Sequence, residues 1–170
     1  KALVVPAKVE ELQALLDNSD RMNRNGPIAG EASADNYFMT TADYNSATGE
    51  RERSLYTWRS EIIYNNFPNA WSDAYMPVYF ANVVLENLEN IPRTAANNTK
   101  YDNAQGSARF FRAKSFLVTV LTWAKAWDEN TAATDLGIPL RLSSDFNQPS
   151  ERASVKQVYE QILADLQEAL

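Results

Sequence analysis

Two long stretches of apolar residues at helical spacing constrain the fold of this chain most strongly. In the first, from Trp71 to Ile91, apolar side chains cover more than half of the helical circumference. A helix of this kind has to pack on two sides. In the second, from Phe110 to Trp127, apolar residues recur at i, i+3 and i+4. Because the loop between them, Pro92 to Tyr101, is short, the two stretches predict an antiparallel helical hairpin.

Shorter patterns predict the other elements. A first amphipathic helix follows Pro6 and ends near Asp17, where the apolar spacing stops. Alternating apolar residues predict an extended segment over residues 138–142. Ser154 and Gln157 have the spacing of a capping box, which predicts the start of a last helix.

These elements fit one all-α domain. A length of 170 residues is typical of a single domain, and 45% hydrophobic with 22% charged residues is typical of a globular one. We therefore predict a single domain over residues 1–170, built from tetratricopeptide-like helical hairpins that form an α-α superhelix. The last helix has an apolar face without a following partner helix, so we expect the natural protein to be longer.

Residues 18–66 lack this helical periodicity. Asn, Ser, Thr, Asp and Gly dominate them, yet they also contain six aromatic residues. A long irregular segment within a compact domain is usually functional. We therefore predict an irregular loop insert, with a short helix around residues 54–64, that carries the ligand site. The six aromatic residues are Tyr37, Phe38, Tyr44, Tyr56, Trp58 and Tyr64.

Composition excludes several classes of function. The chain has no Cys and no His, which excludes thiol nucleophiles, Ser-His-Asp triads and zinc fingers. A net charge of −6 disfavours a nucleic-acid partner. Asp128, Asn130 and Asp135 form an oxygen-rich cluster that a solvated turn explains better than a metal site. Carboxylates such as Asp43 and Glu50 leave a glycosidase pair open.

Three stretches, in this order along the chain, resemble the SusD/RagB family of Bacteroidetes starch-utilisation-type outer-membrane nutrient-binding lipoproteins. They are Tyr79 to Ile91 (YFANVVLENLENI), Gln105 to Leu117 (QGSARFFRAKSFL) and Trp127 to Leu142 (WDENTAATDLGIPLRL). The first two resemble the helical pair of that family. The third is more specific, because an aromatic-Asp pair, a polar loop and a GIPL-type segment follow a long helix. The resemblance covers most of the chain and corresponds to the N-terminal portion of such a protein.

The resemblance implies a role in nutrient uptake. It implies a protein without enzymatic activity or a cofactor, on the cell-surface side of the outer membrane. Such a protein captures glycans, or peptides in the RagB branch, for a TonB-dependent SusC-like transporter. The resemblance also implies a lipid anchor on an N-terminal cysteine of the full-length protein; the 170 residues of this sequence contain no cysteine.

The candidate ligand site lies in the insert of residues 18–66. A sugar has one apolar face and a rim of hydroxyls, so its site needs exposed aromatic rings and fixed polar partners. We predict that Tyr37 and Trp58 stack on the ligand, with Asp35, Asn36 and Arg59 as polar partners. The alternative is that the aromatic residues of this insert cover the ends of the helices.

Other conspicuous residues have structural interpretations. Arg109 and Arg112 share one side of the second long helix, and we predict ion pairs with Glu86 or Glu89 on the facing helix. Three tryptophans fall on apolar helical faces, which predicts that they pack in the core. These tryptophans are Trp71, Trp123 and Trp127.

Two other functions remain open on the sequence. The main alternative is a tetratricopeptide-type peptide-binding adaptor or protein-interaction scaffold, which would use a concave helical groove. Such adaptors have short turns between helices, whereas this chain carries a long aromatic insert. A carbohydrate-active enzyme would need two carboxylates about 5 to 10 Å apart in a cleft.

Overall fold

The computed structural model describes residues 6–24, 29–59 and 69–170, and its fold is predominantly helical. The all-α, tetratricopeptide-like prediction is confirmed, since the described strands form only one small antiparallel pair. The described elements are, in chain order, α1 (Val9–Leu16), a π-helical turn (Asp20–Arg24), α2 (Ala29–Ala32), α3 (Thr41–Ser46), α4 (Glu50–Tyr56), α5 (Ala70–Leu88), α6 (Asn98–Trp123), β1 (Leu136–Pro139), β2 (Arg152–Ser154) and α7 (Val155–Glu168).

The predicted hairpin of two long helices is confirmed as α5 and α6, which pack along their lengths. Leu88, at the end of α5, shares a buried cluster with Ala104, near the start of α6. Val78 and Phe116 share a second buried cluster nearer the other ends of the two helices. The first cluster also includes α1, and the second includes β1 and α7. We refer to α1, α5, α6 and α7 as the helical frame.

The predicted capping box at the start of α7 is confirmed. The Ser154 side chain accepts from the Gln157 backbone N–H, while the Gln157 side chain accepts from the Ser154 N–H. β1 lies so close to α7 that a Cβ added at Gly137 would be 2.9 Å from Val158 Cγ2. Glycine at this position therefore lets the strand pack against the helix.

The predicted ion pairs between the α6 arginines and Glu86 or Glu89 are wrong. The Arg112 guanidinium instead holds Asp165 on α7 through two hydrogen bonds of 2.8 and 2.6 Å, and Asp165 is fully buried. A third donor of Arg112 reaches Asn82 Oδ1 at 2.8 Å. Arg109 also pairs with Asp165, at 3.4 Å. The reason is that the surface of α5 facing Arg112 carries Asn82, whereas α7 places a carboxylate on its buried face.

The core prediction for the tryptophans is wrong for Trp71 and Trp127. Trp71 is 38% exposed and packs edge-on against Trp123 at a centroid distance of 5.1 Å. Trp127 is 48% exposed because α6 ends at Trp123 and the backbone becomes extended at Ala124. Its ring contacts Tyr159 instead of the core.

The described part of residues 18–66 is less irregular than predicted, because it contains the π-helical turn, α2, α3 and α4. The short helix expected around residues 54–64 begins earlier, at Glu50, and ends at Tyr56. Each of these helices is too short to display an apolar stripe, so the spacing of apolar residues in the sequence does not reveal it. Tyr64 lies outside the described residues. Among the helices that are described, none has the length and apolarity needed to cross a membrane.

Candidate functional site

Three tyrosines form a cluster within residues 29–59, which we name the aromatic segment. The ring centroids of Tyr37 and Tyr56 are 5.8 Å apart, and those of Tyr44 and Tyr56 are 6.2 Å apart. The Tyr56 hydroxyl accepts a hydrogen bond of 2.9 Å from the backbone N–H of Met39. Tyr56 on α4 therefore fixes the chain between α2 and α3, where Tyr37 lies.

Tyr37 and Trp58 are brought to the same turn by their polar atoms. The Tyr37 hydroxyl donates to the carbonyl oxygen of Ala32 at 2.5 Å. The Trp58 indole N–H donates to the next carbonyl, that of Ser33, at 2.9 Å. The two predicted stacking residues thus hold consecutive peptide groups at the end of α2. With these hydrogen bonds made, the remaining surface of the Trp58 ring is apolar.

Trp58 occupies a backbone position that usually belongs to glycine. Its φ is 54°, and it is the one non-glycine residue with positive φ in the described ranges. The Trp58 N–H bonds to Leu55 O and the Arg59 N–H bonds to Ser54 O, which is the Schellman pattern that ends a helix with a left-handed residue. A bulky residue in this conformation costs about 1–3 kcal/mol.

The rings of this segment are exposed to different degrees. Trp58 is 76% exposed, Phe38 is 82% exposed and Tyr37 is 43% exposed, whereas Tyr44 and Tyr56 are half-buried. Because Trp58 is largely exposed, the burial of its side chain offsets little of the free energy that its backbone conformation costs. Phe38, the most exposed of these rings, is absent from our predicted site. In a segment without periodicity, no sequence signal separates an exposed aromatic residue from a buried one.

The predicted polar partners differ in their availability. Asp35 and Asn36 are exposed, directly precede Tyr37, and make no hydrogen bond within the part of the chain that the structure describes. Arg59 is engaged, since its Nη1 lies 2.5 Å from Glu50 Oε1. Hydrogen bonding from Arg53, and the charges of Arg53 and Arg59, hold the pKa of Glu50 below its usual value.

The carboxylates considered for catalysis form hydrogen bonds or ion pairs with residues close in the sequence. Asp43 accepts from the backbone N–H and the hydroxyl of Thr40, which completes the capping box of α3. Glu50 bonds to two arginines. In the oxygen-rich cluster of residues 128–135, Asp135 pairs with Lys125 at 2.5 Å. Across the described ranges, no group of three or more acidic residues is arranged to hold a metal ion.

Two crystal structures share this fold. A SusD superfamily protein from Bacteroides thetaiotaomicron VPI-5482 matches 96% of this chain with a TM-score of 0.67 at 16% sequence identity. A SusD superfamily protein from Bacteroides fragilis matches 96% of the chain with a TM-score of 0.74 at 19% identity. The chain spans 37% and 39% of the lengths of these two proteins.

Sequence comparison gives the family. No curated protein matches the chain. A SusD-like family model, described as "Starch-binding associating with outer membrane", matches residues 2–170. This match confirms the resemblance carried by the three stretches, and the chain belongs to this SusD-like family.

Proposed function

We propose that this chain is part of a non-catalytic protein that binds glycans at the cell-surface side of the outer membrane. In this proposal the protein is lipid-anchored and delivers its ligand to a TonB-dependent SusC-like transporter. The description of the family as starch-binding and associated with the outer membrane supports this role. The aromatic segment supports it independently, because it offers exposed rings beside unengaged polar groups.

The geometry of Trp58 is the single observation that carries the proposal. A glycine would end α4 without strain, and a tryptophan that served only packing would be buried. Trp58 instead keeps a strained φ of 54° and leaves 76% of its surface exposed. Strained residues concentrate where the strain serves function. Here it would serve to hold a flat apolar ring in water, ready to stack on the C–H face of a sugar.

The neighbouring residues would complete the site. The Asp35 carboxylate would accept hydrogen bonds from sugar hydroxyls, and the Asn36 amide can both donate and accept. Tyr37, with its hydroxyl committed to Ala32, would contribute the face of its ring. Recognition of this kind requires no proton transfer, which is consistent with Asp43 and Glu50 being held by a capping box and by arginines.

Binding measurements with matched variants test the proposal. We suggest a glycan array on the full-length protein, followed by isothermal titration calorimetry of the wild type and Trp58→Ala with the tightest glycan found. We expect about tenfold weaker binding for Trp58→Ala, which corresponds to ~1.4 kcal/mol. Trp127→Ala is the control, because it removes an exposed tryptophan outside the aromatic segment. Equal affinities of Trp58→Ala and the wild type would overturn the proposed site.

The transporter part of the proposal needs a separate experiment. Full-length tagged protein would be purified from detergent-solubilised outer membranes of its natural host, and the co-purifying proteins would be identified. We expect a large TonB-dependent barrel protein in stoichiometric amount. Its absence, with the tagged protein intact in the membrane fraction, would contradict delivery to such a transporter.

A further inference from the structure

The turn that ends α4 is closed by an ion pair that spans the whole helix. Glu50 is the first residue of α4, and Arg59 lies three residues beyond the last residue, Tyr56. Arg59 Nη1 nevertheless lies 2.5 Å from Glu50 Oε1. Trp58, with its left-handed backbone and exposed ring, lies between them in the chain. The ion pair therefore joins the two ends of the segment that presents this ring.

This ion pair can form only where the helix has ended. In a continuous helix, residues nine positions apart are separated by about two and a half turns and lie on opposite faces. Glu50 and Arg59 could not touch if α4 continued through Trp58. A bulky residue such as Trp58 by itself favours the right-handed helical conformation, because the left-handed one crowds its Cβ against the backbone. The ion pair therefore stabilises the turned conformation against the continued helix.

A second arginine, Arg53, orients the Glu50 carboxylate for this contact. Arg53 Nε and Nη2 donate to Glu50 Oε2 at 3.2 and 3.0 Å, while Oε1 accepts from Arg59. Arg53 Nη1 donates to the carbonyl oxygen of Ala47, at the end of α3, at 2.6 Å. Hydrogen bonding from Arg53 is also the largest of the effects that hold the pKa of Glu50 below its usual value. The carboxylate is therefore charged at neutral pH and fixed in direction.

We propose that Glu50 is a positioning residue for Trp58. By holding Arg59, its carboxylate biases the end of α4 toward the turn that presents the indole ring, and the hydrogen bond from the indole to Ser33 acts in the same direction. The inference rests on the proposed glycan-binding role of Trp58, but the positioning itself takes place without a ligand. Glu50 and Arg59 are both exposed, and an exposed ion pair stabilises a whole fold only slightly. We therefore expect its loss to act on the ring and not on the amount of folded protein.

Fluorine NMR of the ring tests the positioning without any glycan. The full-length protein is labelled with 5-fluorotryptophan, and the resonance that Trp58→Phe removes belongs to Trp58. In Glu50→Gln, which keeps the size of the side chain, we expect this resonance to move and to narrow by about a factor of two, because the ring moves more freely. Glu52→Gln is the matched control, because Glu52 is exposed on the same helix and forms no ion pair within the described residues. The control should leave the resonance unchanged.

Two further measurements show whether the ion pair itself is responsible. In the wild type, salt at about 1 M should move the Trp58 resonance in the same direction as Glu50→Gln does, and in that variant it should have no such effect. Arg59→Gln should change the resonance as Glu50→Gln does, and combining the two substitutions should add nothing. The inference is overturned if Glu50→Gln leaves the resonance as in the wild type, or if Glu52→Gln produces the same change.

Glycan binding is measured separately, so that the two proposals can fail independently. Glu50→Gln should weaken the affinity for the tightest glycan from the array by about two- to fivefold, because a smaller fraction of the protein has the ring in place. Glu52→Gln should bind like the wild type. If Trp58→Ala binds like the wild type, the proposed site fails, while the fluorine signal still decides the positioning. If Trp58→Ala binds weakly but Glu50→Gln binds like the wild type, the positioning role of Glu50 is overturned.

Discussion

The helical frame and the aromatic segment differ in how they bury and pair aromatic and acidic side chains. In the frame, Phe116 is fully buried, and the carboxylate of Asp165 is neutralised by Arg112. In the aromatic segment, Trp58 is largely exposed, and Asp35 has no hydrogen bond within the described residues. The requirements of folding account for the residues of the frame. They do not account for the exposed ring of Trp58 or for the unengaged Asp35, which is why we propose that the ligand site lies in the segment.

The largest expected effect comes from breaking the buried ion pair of the frame. Asp165→Ala leaves the Arg112 guanidinium buried without its carboxylate, which should lower the free energy of unfolding by about 3–5 kcal/mol. Glu168→Ala is the control, because Glu168 pairs with Arg109 but is 57% exposed, and it should cost less than about 1 kcal/mol. Urea unfolding of both variants measures the difference. Similar costs for the two would contradict the special role of Asp165.

Replacing a glycine by alanine, once beside the frame and once in the aromatic segment, should change stability by a smaller amount and differently at the two positions. Gly137→Ala in β1, which packs against α7 of the frame, would place its Cβ 2.9 Å from Val158 Cγ2 and 3.0 Å from Ser154 O, so we expect a loss of about 1–3 kcal/mol. Gly30→Ala in the aromatic segment meets no atom within 4 Å and should be neutral or slightly stabilising. Thermal unfolding of both variants tests this contrast. An unchanged melting temperature for Gly137→Ala would show that β1 does not pack tightly against α7.

The backbone strain at Trp58 predicts a smaller effect in which stability and binding separate. Trp58→Gly and Trp58→Ala both lose the indole hydrogen bond to Ser33, but only glycine adopts a φ of 54° without strain. The glycine variant should therefore be more stable than the alanine variant by about 1–2 kcal/mol. Both should bind the glycan equally weakly. If the glycine variant is no more stable than the alanine variant, the backbone strain that we infer at Trp58 is contradicted.

The smallest expected effect is a pH dependence of stability at Asp135, which lies between α6 of the frame and β1. Hydrogen bonds from Lys125 and Thr131, together with the Lys125 charge, hold the pKa of Asp135 below its usual 3.8. The folded chain therefore binds this proton less readily than the unfolded chain. The stabilisation is present above the unfolded pKa and is lost as the pH falls through the lower folded pKa.

Melting temperatures between about pH 2 and pH 6 measure this effect. The difference between the wild type and Asp135→Asn should shrink at the acidic end. Glu129→Gln is the control, since Glu129 is exposed and has no hydrogen bond or ion pair within the described ranges. A difference that stays constant over the whole range would contradict the role of the Lys125 pair.

The frame could be predicted from the sequence because its signals are periodic and local. The apolar spacing gave α1, α5, α6 and α7, and the pattern of Ser154 and Gln157 gave the start of α7. The Arg112–Asp165 pair was missed, although Asp165 lies three residues after Ile162 on the apolar stripe of α7. A buried charge on such a stripe requires a partner, and this signal could have identified the pair.

The aromatic segment could be predicted only as a region. Its helices span four to seven residues, so they carry no apolar stripe, and their positions depend on contacts between distant residues. The bond from Trp58 to Ser33 joins residues 25 positions apart. The Schellman position of Trp58 could not be predicted either, because the usual sequence signal there is a glycine. Asp35, Asn36, Tyr37, Trp58 and Arg59 therefore stay predictions as ligand-binding residues.

The most direct test of the central claim is the fluorescence of Trp58 itself. In a variant with Phe at positions 71, 123 and 127, Trp58 is the only tryptophan of the 170-residue chain. If its ring stacks on the glycan, addition of the tightest glycan from the array should shift the emission to the blue and protect it from acrylamide quenching, both saturably. Saturable glycan binding in calorimetry that leaves the emission and quenching of Trp58 unchanged would contradict the claim.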